Sequence, residues 1–303
     1  MCSILGPVLF TLFINDLPDC VESTCKIFAD DTKLYNTTQN KDIIQDDIRK
    51  LQEWSEKWNL YFNASKCKVM HMGRNNPCHK YKMKVGDDYV DIAECEEEKD
   101  LGVTFDPLLK FDRHVQNIIA KANQMIGVIK RTFTFLDKDS FLKLYKAFIR
   151  PHLEYANTIW SLKLRRQSSA IEKVQRRATK LLKNMKDLSY EERLKTLKLP
   201  TLKCRRIRGD LIQAYKIFTG VDDVDNFFPT QPITANKTRH NLNKIFMHHC
   251  SSNIRKNTFV NRVAPIWNPL PDHIKSAPNI IITFKNLIDQ QRIVTENLYN
   301  YDM

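Results

Sequence analysis

Two adjacent acidic residues, Asp30 and Asp31, follow a short apolar run in the sequence FADD at residues 28–31. The strand-forming residues on either side predict a tight turn that presents both carboxylates at a surface. Carboxylate oxygens are hard ligands that suit Mg²⁺, and two-metal nucleotidyl transfer uses carboxylates to hold ions about 3.5–4 Å apart. From the spacing alone, two solvated turn residues are an equal alternative.

A second group of residues could bind a polyanion. The chain has a net charge of +13, of which residues 161–216 contribute +12, whereas residues 1–112 sum to −6. Cations in the basic block alternate with apolar residues at helical spacing, which predicts helices that bury one face and lay the other along phosphates. A solvated helix face is the alternative. The cations that carry the prediction are Arg165, Arg166, Lys173, Arg176, Arg177, Lys180, Lys203, Arg205 and Arg206.

Helical and strand patterns alternate in the first third of the chain, where the acidic pair lies. Residues 3–17 are an apolar run that favours a buried helix, and residues 41–60 form an amphipathic helix. Short strands are predicted at 25–29, 32–35, 67–72, 81–85, 89–92 and 100–105. This alternation predicts an α+β fold for residues 1–112.

The hydrophobic period becomes helical beyond residue 112. Candidate helices cover 113–132, 138–160 with a bend at Pro151 as an alternative to a straight helix, 168–185, 189–197 and 202–219. A polar stretch at 221–240 is the predicted linker, and a helix near 280–292 belongs to a small C-terminal segment. The sequence therefore predicts three parts, residues 1–112, 113–220 and 221–303.

Composition narrows the class of protein. Hydrophobic residues make up 42% and charged residues 27% of the chain, which excludes a disordered or collagen-like chain. The chain has 8 cysteines and no CxxC pair, which favours free thiols in a reducing compartment. The apolar run at residues 4–14 lacks signal-peptide flanks and is too short to span a bilayer. We therefore expect an intracellular protein.

Several motifs resemble, in order, the reverse transcriptase of non-LTR (LINE-type) retrotransposons, and together they extend over essentially the whole chain. The motifs that carry this resemblance are SILGP at 3–7 with INDLP at 14–18, FADDT at 28–32, LYFN at 60–63 with KCK at 66–68, KDLGV at 99–103, RPHLEYA at 150–156, EKVQRRA at 172–178, and RV at 262–263 with WNPLP at 267–271.

The resemblance implies a partial reverse-transcriptase palm, with a helix and antiparallel hairpins, followed by a mainly α-helical thumb and a C-terminal region. It makes Asp30 a metal ligand and Asp31 its supporting acid, with Mg²⁺ as the metal, and it makes residues 99–103 the primer-grip hairpin. Lys66 would protonate the departing pyrophosphate or bind nucleotide phosphates, with a solvated lysine as the alternative. The implied partners are an RNA template, a DNA primer and deoxynucleotides, without a membrane, and the implied location is the cytoplasm and nucleus.

The sequence differs from the family pattern near its start, and this difference determines which function we predict. The pocket motif of the family normally begins Gln-Gly-Ser, but here it begins Met-Cys-Ser, and the fingers and another palm aspartate would precede residue 1. Asp16 is not that aspartate and is expected to cap or turn the chain. We therefore expect a polymerase fragment that binds template–primer, is inactive alone and exposes apolar surface near its start. The alternative is a non-catalytic RNA- or DNA-binding remnant.

Overall fold

The computed structural model divides the chain into two compact units. The first comprises residues 1–98 with 106–108, and the second comprises residues 99–105 with 109–303. The structure describes residues 5–37, 39, 41–160, 164–224, 227–228, 244–247, 249–279, 283–291 and 294. The start of the SILGP motif and most of the predicted linker therefore lie outside the described residues. Helices occur together with small two-stranded sheets, which confirms the α+β class. The three-part division at residues 112 and 220 stays a prediction.

In its described residues, the first unit contains two α-helices, a 3₁₀ turn (Leu17–Cys20) and three small sheets. Its elements are α1 (Leu5–Phe13), β1 (Thr24–Phe28), β2 (Asp31–Tyr35), α2 (Lys41–Trp58), β3 (Lys68–Val69), β4 (Lys82–Val85), β5 (Asp88–Asp91) and β6 (Ala93–Glu94). The pairs β1–β2 and β4–β5 are antiparallel, whereas β3 pairs in parallel with β6. The predicted helix at 41–60 and the hairpin around the acidic pair are thus confirmed.

Helix α2 holds the first unit together. Its apolar face buries Ile48, Leu51 and Trp54. Leu51 and Trp54 belong to a core that the inner side of the β1–β2 hairpin also contacts, and Ile48 belongs to a core with Met83 of β4. A single amphipathic helix therefore supports both hairpins, as the spacing of its apolar residues predicts.

The outer edge of β4 is covered by side chains of α2. Gln45 accepts a hydrogen bond from the Lys82 N–H at 2.9 Å and donates to the Lys82 carbonyl at 2.9 Å. Gln52 pairs in the same way with Lys84, at 3.0 and 2.7 Å. Each side-chain amide thus replaces one residue of a neighbouring strand, which protects an edge that would otherwise be open to further pairing.

Helix α1 is apolar yet exposed. Leu5, Val8, Leu9 and Leu12 are 54–69% exposed, and no residue of the helix is buried. The predicted helix is confirmed over Leu5–Phe13, but the prediction that it is buried is wrong for this chain. The expected exposed apolar surface near the start is confirmed, although Phe10 and Phe13 of the same helix contact the core around Leu51 and Trp54.

The second unit is mainly helical. Its elements are β7 (Glu98–Asp100, which begins one residue inside the first unit), β8 (Val103–Phe105), α3 (Asp112–Thr132), α4 (Lys138–Leu144), a π-helical turn (Tyr145–Ile149), α5 (Arg150–Glu154), α6 (Arg165–Thr179), α7 (Tyr190–Leu197), α8 (Leu202–Phe218), α9 (Asn253–Lys256), α10 (Phe259–Trp267), α11 (Asp272–Lys275) and α12 (Lys285–Asp289). Among the described residues, no helix is both long and apolar enough to cross a membrane.

Two sequence predictions in the second unit are corrected. The helix predicted over 138–160 ends at Glu154 and contains the π-helical turn Tyr145–Ile149, because Pro151 has no N–H to continue the ordinary hydrogen-bond pattern. The single strand predicted at 100–105 is a hairpin, since Leu101 and Gly102 form a turn between β7 and β8.

The part of the second unit that the structure describes has two hydrophobic cores. The first core is formed by α3, α4, the π-helical turn, α5 and α6. Ala122 of α3 and Ala178 of α6 are fully buried in it. The other joins α8, α10 and α12 around Trp267, which is also fully buried. The WNPLP motif at 267–271 thus begins inside a core.

Candidate functional site

The acidic pair lies at the tip of the β1–β2 hairpin. Phe28 pairs with Asp31, so the connecting turn consists of Ala29 and Asp30. Ala29 has a φ of 52°, a left-handed backbone that costs residues with a Cβ roughly 1–2 kcal/mol. Both carboxylates are exposed. Strained turns of this kind cluster at functional sites, and this one presents its acids to solvent.

The two faces of the hairpin have different environments. Cys25 and Ile27 of β1 face inward, together with their partners Leu34 and Thr32 on β2. Phe28 and its partner Asp31 lie on the outer face. Phe28 is 59% exposed. The inner face anchors the hairpin, and the outer face leaves the tip accessible.

A buried carboxylate fixes the base of the hairpin. Asp47 on α2 is fully buried and accepts hydrogen bonds from the N–H groups of Glu22 at 2.9 Å and Ser23 at 2.8 Å. Burial alone would raise the pKa of Asp47, but hydrogen bonds from the Ser23 side chain and from both backbone amides outweigh it and lower the pKa. Asp47 thus ties the start of β1 to the central helix.

Replacing Asp47 by Ala is expected to destabilise the first unit by about 2–4 kcal/mol, because the buried Ser23 N–H and the partly buried Glu22 N–H lose their acceptor. Hydrogen exchange at Glu22 and Ser23 measures the effect. The folded-state pKa lies below the ordinary 3.8, so the contribution of Asp47 is present above that pH and is lost as the pH falls through the lower folded value. Asp47→Asn is the matched control, and it should lack this pH dependence. Unchanged exchange in Asp47→Ala would contradict the assignment.

The acidic pair supplies only part of a metal site. Magnesium takes about six oxygen ligands, and no group of three or more His, Cys, Asp or Glu residues in the described part of the chain could hold an ion. Lys66 is exposed in a turn that begins at Asn63. No hydrogen bond or ion pair among the described residues joins it to Asp30 or Asp31. The two carboxylates alone therefore do not fit a complete magnesium centre.

The basic block presents one continuous cationic face. On α6 and just beyond it, Arg166, Lys173, Arg177 and Lys180 are exposed and recur at the spacing of one helical face. Arg166 lies 3.4 Å from Asp112 yet keeps 72% of its side chain exposed. Arg177 donates to the Asn123 side chain at 2.9 Å. We call Arg166, Lys173, Arg177 and Lys180 the basic face.

Other predicted nucleic-acid ligands contact the protein itself. Arg176 stacks over the Tyr190 ring at 4.7 Å. Arg205 forms a bidentate pair with Glu154, and half-buried Arg206 donates to Ser168 at 2.8 Å. Lys203 is half-buried and Arg165 is exposed. Contact of these five cations with nucleic acid stays a prediction, and the ion pair makes Arg205 the poorest candidate.

The inward side of the EKVQRRA motif forms a buried polar network. Glu172 accepts from the Leu202 N–H at 3.1 Å and from the Tyr190 hydroxyl. Gln175 donates to Tyr190 at 3.0 Å and accepts from the Tyr145 hydroxyl. Burial raises the pKa of Glu172 despite the hydrogen bonds from Tyr190 and Leu202. The network joins α6, α7 and the start of α8, and thereby holds the basic face in place.

Sequence reasoning missed two of the buried acids, Asp47 and Glu172. Asp47 lies between Ile44 and Ile48 on the apolar side of α2, and Glu172 lies next to Ile171 on the buried side of α6. An acid at a core position of an amphipathic helix is the available signal, because a buried carboxylate needs partners.

Comparison with known proteins shows what part of the chain is similar to. The family described as "Reverse transcriptase (RNA-dependent DNA polymerase)" matches residues 3–136, which contain the acidic turn. The Drosophila melanogaster protein named "Probable RNA-directed DNA polymerase from transposon X-element" is 27% identical over 196 residues, covering 59% of this chain and 21% of that protein. Over these residues the chain is similar to non-LTR reverse transcriptases.

A second relative gives the same result. The RNA-directed DNA polymerase from mobile element jockey of Drosophila funebris is 28% identical over 193 residues, covering 57% of this chain and 20% of that protein. The chain thus spans about a fifth of the length of these curated relatives. No solved structure matches it. The resemblance to a non-LTR reverse transcriptase is confirmed, and this family in general suggests a divalent metal requirement.

Proposed function

We propose that the chain is the part of a non-LTR RNA-directed DNA polymerase that carries the catalytic acidic turn and binds template–primer nucleic acid. The observation that carries this proposal is the exposed hairpin tip with Asp30 and Asp31, inside the segment that matches the reverse transcriptase family. Its partners are an RNA template and a DNA primer, with deoxynucleotides as substrates of the whole polymerase.

The proposed division of labour follows the three parts predicted from the sequence. Residues 1–112 form part of the palm and contribute Asp30 and Asp31 to a magnesium site that further ligands complete, with Lys66 near the nucleotide phosphates. Residues 113–220 form the thumb, whose basic face contacts phosphates of the duplex without reading sequence. Residues 221–303 form the C-terminal region.

A non-catalytic RNA- or DNA-binding module is the second candidate. The acidic pair without a third ligand among the described residues favours it. The genomic sequence directly upstream of the first codon discriminates between the two candidates. An open frame that encodes a further palm aspartate supports the polymerase, whereas stop codons there support the binding module.

The purified chain is expected to bind a primed RNA template but not to extend the primer with deoxynucleotides and Mg²⁺. Two carboxylates hold the ions incompletely, and the lost stabilisation of the transition state costs several kcal/mol. Primer extension on a labelled DNA primer measures this, with Asp30→Ala as the control. Template-dependent extension by the wild type that disappears in Asp30→Ala would show that the chain contains a complete site.

A further inference from the structure

The β7–β8 hairpin ends in a strained turn. Leu101 has a φ of 42° and Gly102 a φ of 84°, and two consecutive left-handed residues define a turn that normally takes Asn or Gly at its first position. Leu101 is also 43% exposed. Since a leucine does not adopt this backbone on its own, contacts elsewhere must hold the turn.

Tyr155 provides these contacts. Its hydroxyl donates to the Leu101 carbonyl at 2.9 Å, and its ring lies so close to Gly102 that a Cβ there would be 3.1 Å from the Tyr155 Cε1. Below the turn, the Thr104 N–H donates to Nδ1 of buried His114 at 3.2 Å. The side chain of Tyr155 thus closes over the turn, although the residue itself is 58% exposed.

The segment that carries Tyr155 is held from its other side by a buried ion pair. Arg262 on α10 pairs with Asp210 on α8 through two hydrogen bonds of 2.9 Å, and its Nη2 also donates to the carbonyls of Thr158 at 2.9 Å and Asn157 at 3.3 Å. Within the segment, the Trp160 indole N–H donates to the Tyr155 carbonyl at 2.7 Å. One guanidinium therefore fixes the backbone that places Tyr155.

We propose that Arg262, oriented by Asp210, is a positioning residue for the Leu101–Gly102 turn and acts on it through residues 155–160. The C-terminal region then sets the geometry of the hairpin that the family resemblance assigns to the primer grip. This functional consequence rests on the proposed function, whereas the coupling itself does not. Through this coupling, the RV motif at 262–263 acts on a hairpin that lies far from it in sequence.

Hydrogen exchange of the amides of residues 101–104 tests the coupling in the full chain. Arg262→Gln is expected to speed their exchange about tenfold, because the turn opens locally once Tyr155 is displaced. The matched control is Arg208→Gln, since Arg208 lies on the same helix as Asp210 and forms a bidentate pair with Asp289, at 2.6 and 3.0 Å, away from the segment. In the control variant, the exchange rates of the amides of residues 101–104 should equal those of the wild type.

Tyr155→Phe separates coupling from general destabilisation. It removes only the hydroxyl that binds Leu101, and it should speed exchange of the turn by a similar factor. If Arg262 acts through Tyr155, the double variant exchanges no faster than Arg262→Gln alone, whereas independent effects would multiply. If Arg262→Gln does not fold, Arg262→Lys takes its place. The lysine ammonium keeps the charge pair with Asp210, but it cannot bind Asp210 and the Thr158 carbonyl at the same time, as the guanidinium does.

Two results would overturn the proposal: unchanged exchange at residues 101–104 in the Arg262 variant, or multiplicative effects in the double variant. Affinity for an RNA–DNA duplex is measured in parallel. A wild-type chain that does not bind the duplex refutes the proposed function and leaves the coupling intact. Duplex binding without altered exchange in the Arg262 variant refutes the coupling alone.

Discussion

Replacing all four cations of the basic face, Arg166, Lys173, Arg177 and Lys180, by Gln is expected to weaken binding of an RNA–DNA duplex roughly 100-fold at 0.1 M salt. These side chains are exposed on one helical face, and a phosphate would replace the surface contacts of Arg166 with Asp112 and of Arg177 with Asn123. Loss of four phosphate contacts should also reduce the slope of log affinity against log salt by about 3 to 4. All sequences should be affected alike, because phosphate contacts position the protein without specifying bases.

A salt titration of fluorescence anisotropy measures both quantities. The matched control replaces four other exposed lysines of the same basic block by Gln, namely Lys183, Lys186, Lys195 and Lys198. It removes the same charge but leaves the face on α6 intact. An equal loss of affinity and slope in both variants would mean that net charge, and not this face, binds the duplex.

Replacing Glu172 by Ala is expected to destabilise the second unit by about 3 kcal/mol or more. The Leu202 N–H and the Tyr190 hydroxyl would both lose a buried acceptor, and each unsatisfied donor costs roughly 1–3 kcal/mol. Denaturant unfolding followed by circular dichroism gives the change in free energy. A decrease in the free energy of unfolding smaller than about 1 kcal/mol, the lowest cost of one unsatisfied donor, would contradict the role of Glu172 in joining α6 to α7 and α8.

The matched variant Glu172→Gln keeps the size and an acceptor oxygen, and its effect should be smaller. Burial raises the folded-state pKa of Glu172 above the ordinary 4.5, so the folded state binds the proton more tightly. The stability of the wild type should therefore decrease as the pH rises from 4.5 toward the raised folded value. Glu172→Gln should lack this part of the pH dependence. Identical pH profiles would show that the pKa of Glu172 does not differ between the folded and unfolded states.

The sequence alone determined the elements that local patterns specify. The run FADD between two strand-forming segments placed Asp30 and Asp31 at a hairpin tip, and the apolar spacing of 41–60 gave the amphipathic helix α2. Ordered motifs were sufficient to find the resemblance to non-LTR reverse transcriptases. These inferences succeed because hairpin turns and helical faces depend on residues that are close in sequence.

The tertiary structure decided which polar groups turn inward. A helical period shows that α6 and α8 each have two faces, but only packing against other helices shows that Arg205 pairs with Glu154 while Lys173 remains exposed. In the same way, no local pattern joins Arg262 to the turn at 101–102, because that connection crosses about 160 residues and depends on the packing of α8 and α10. Partners so distant in sequence are selected by burial, since a buried charge must be paired wherever its partner lies along the chain.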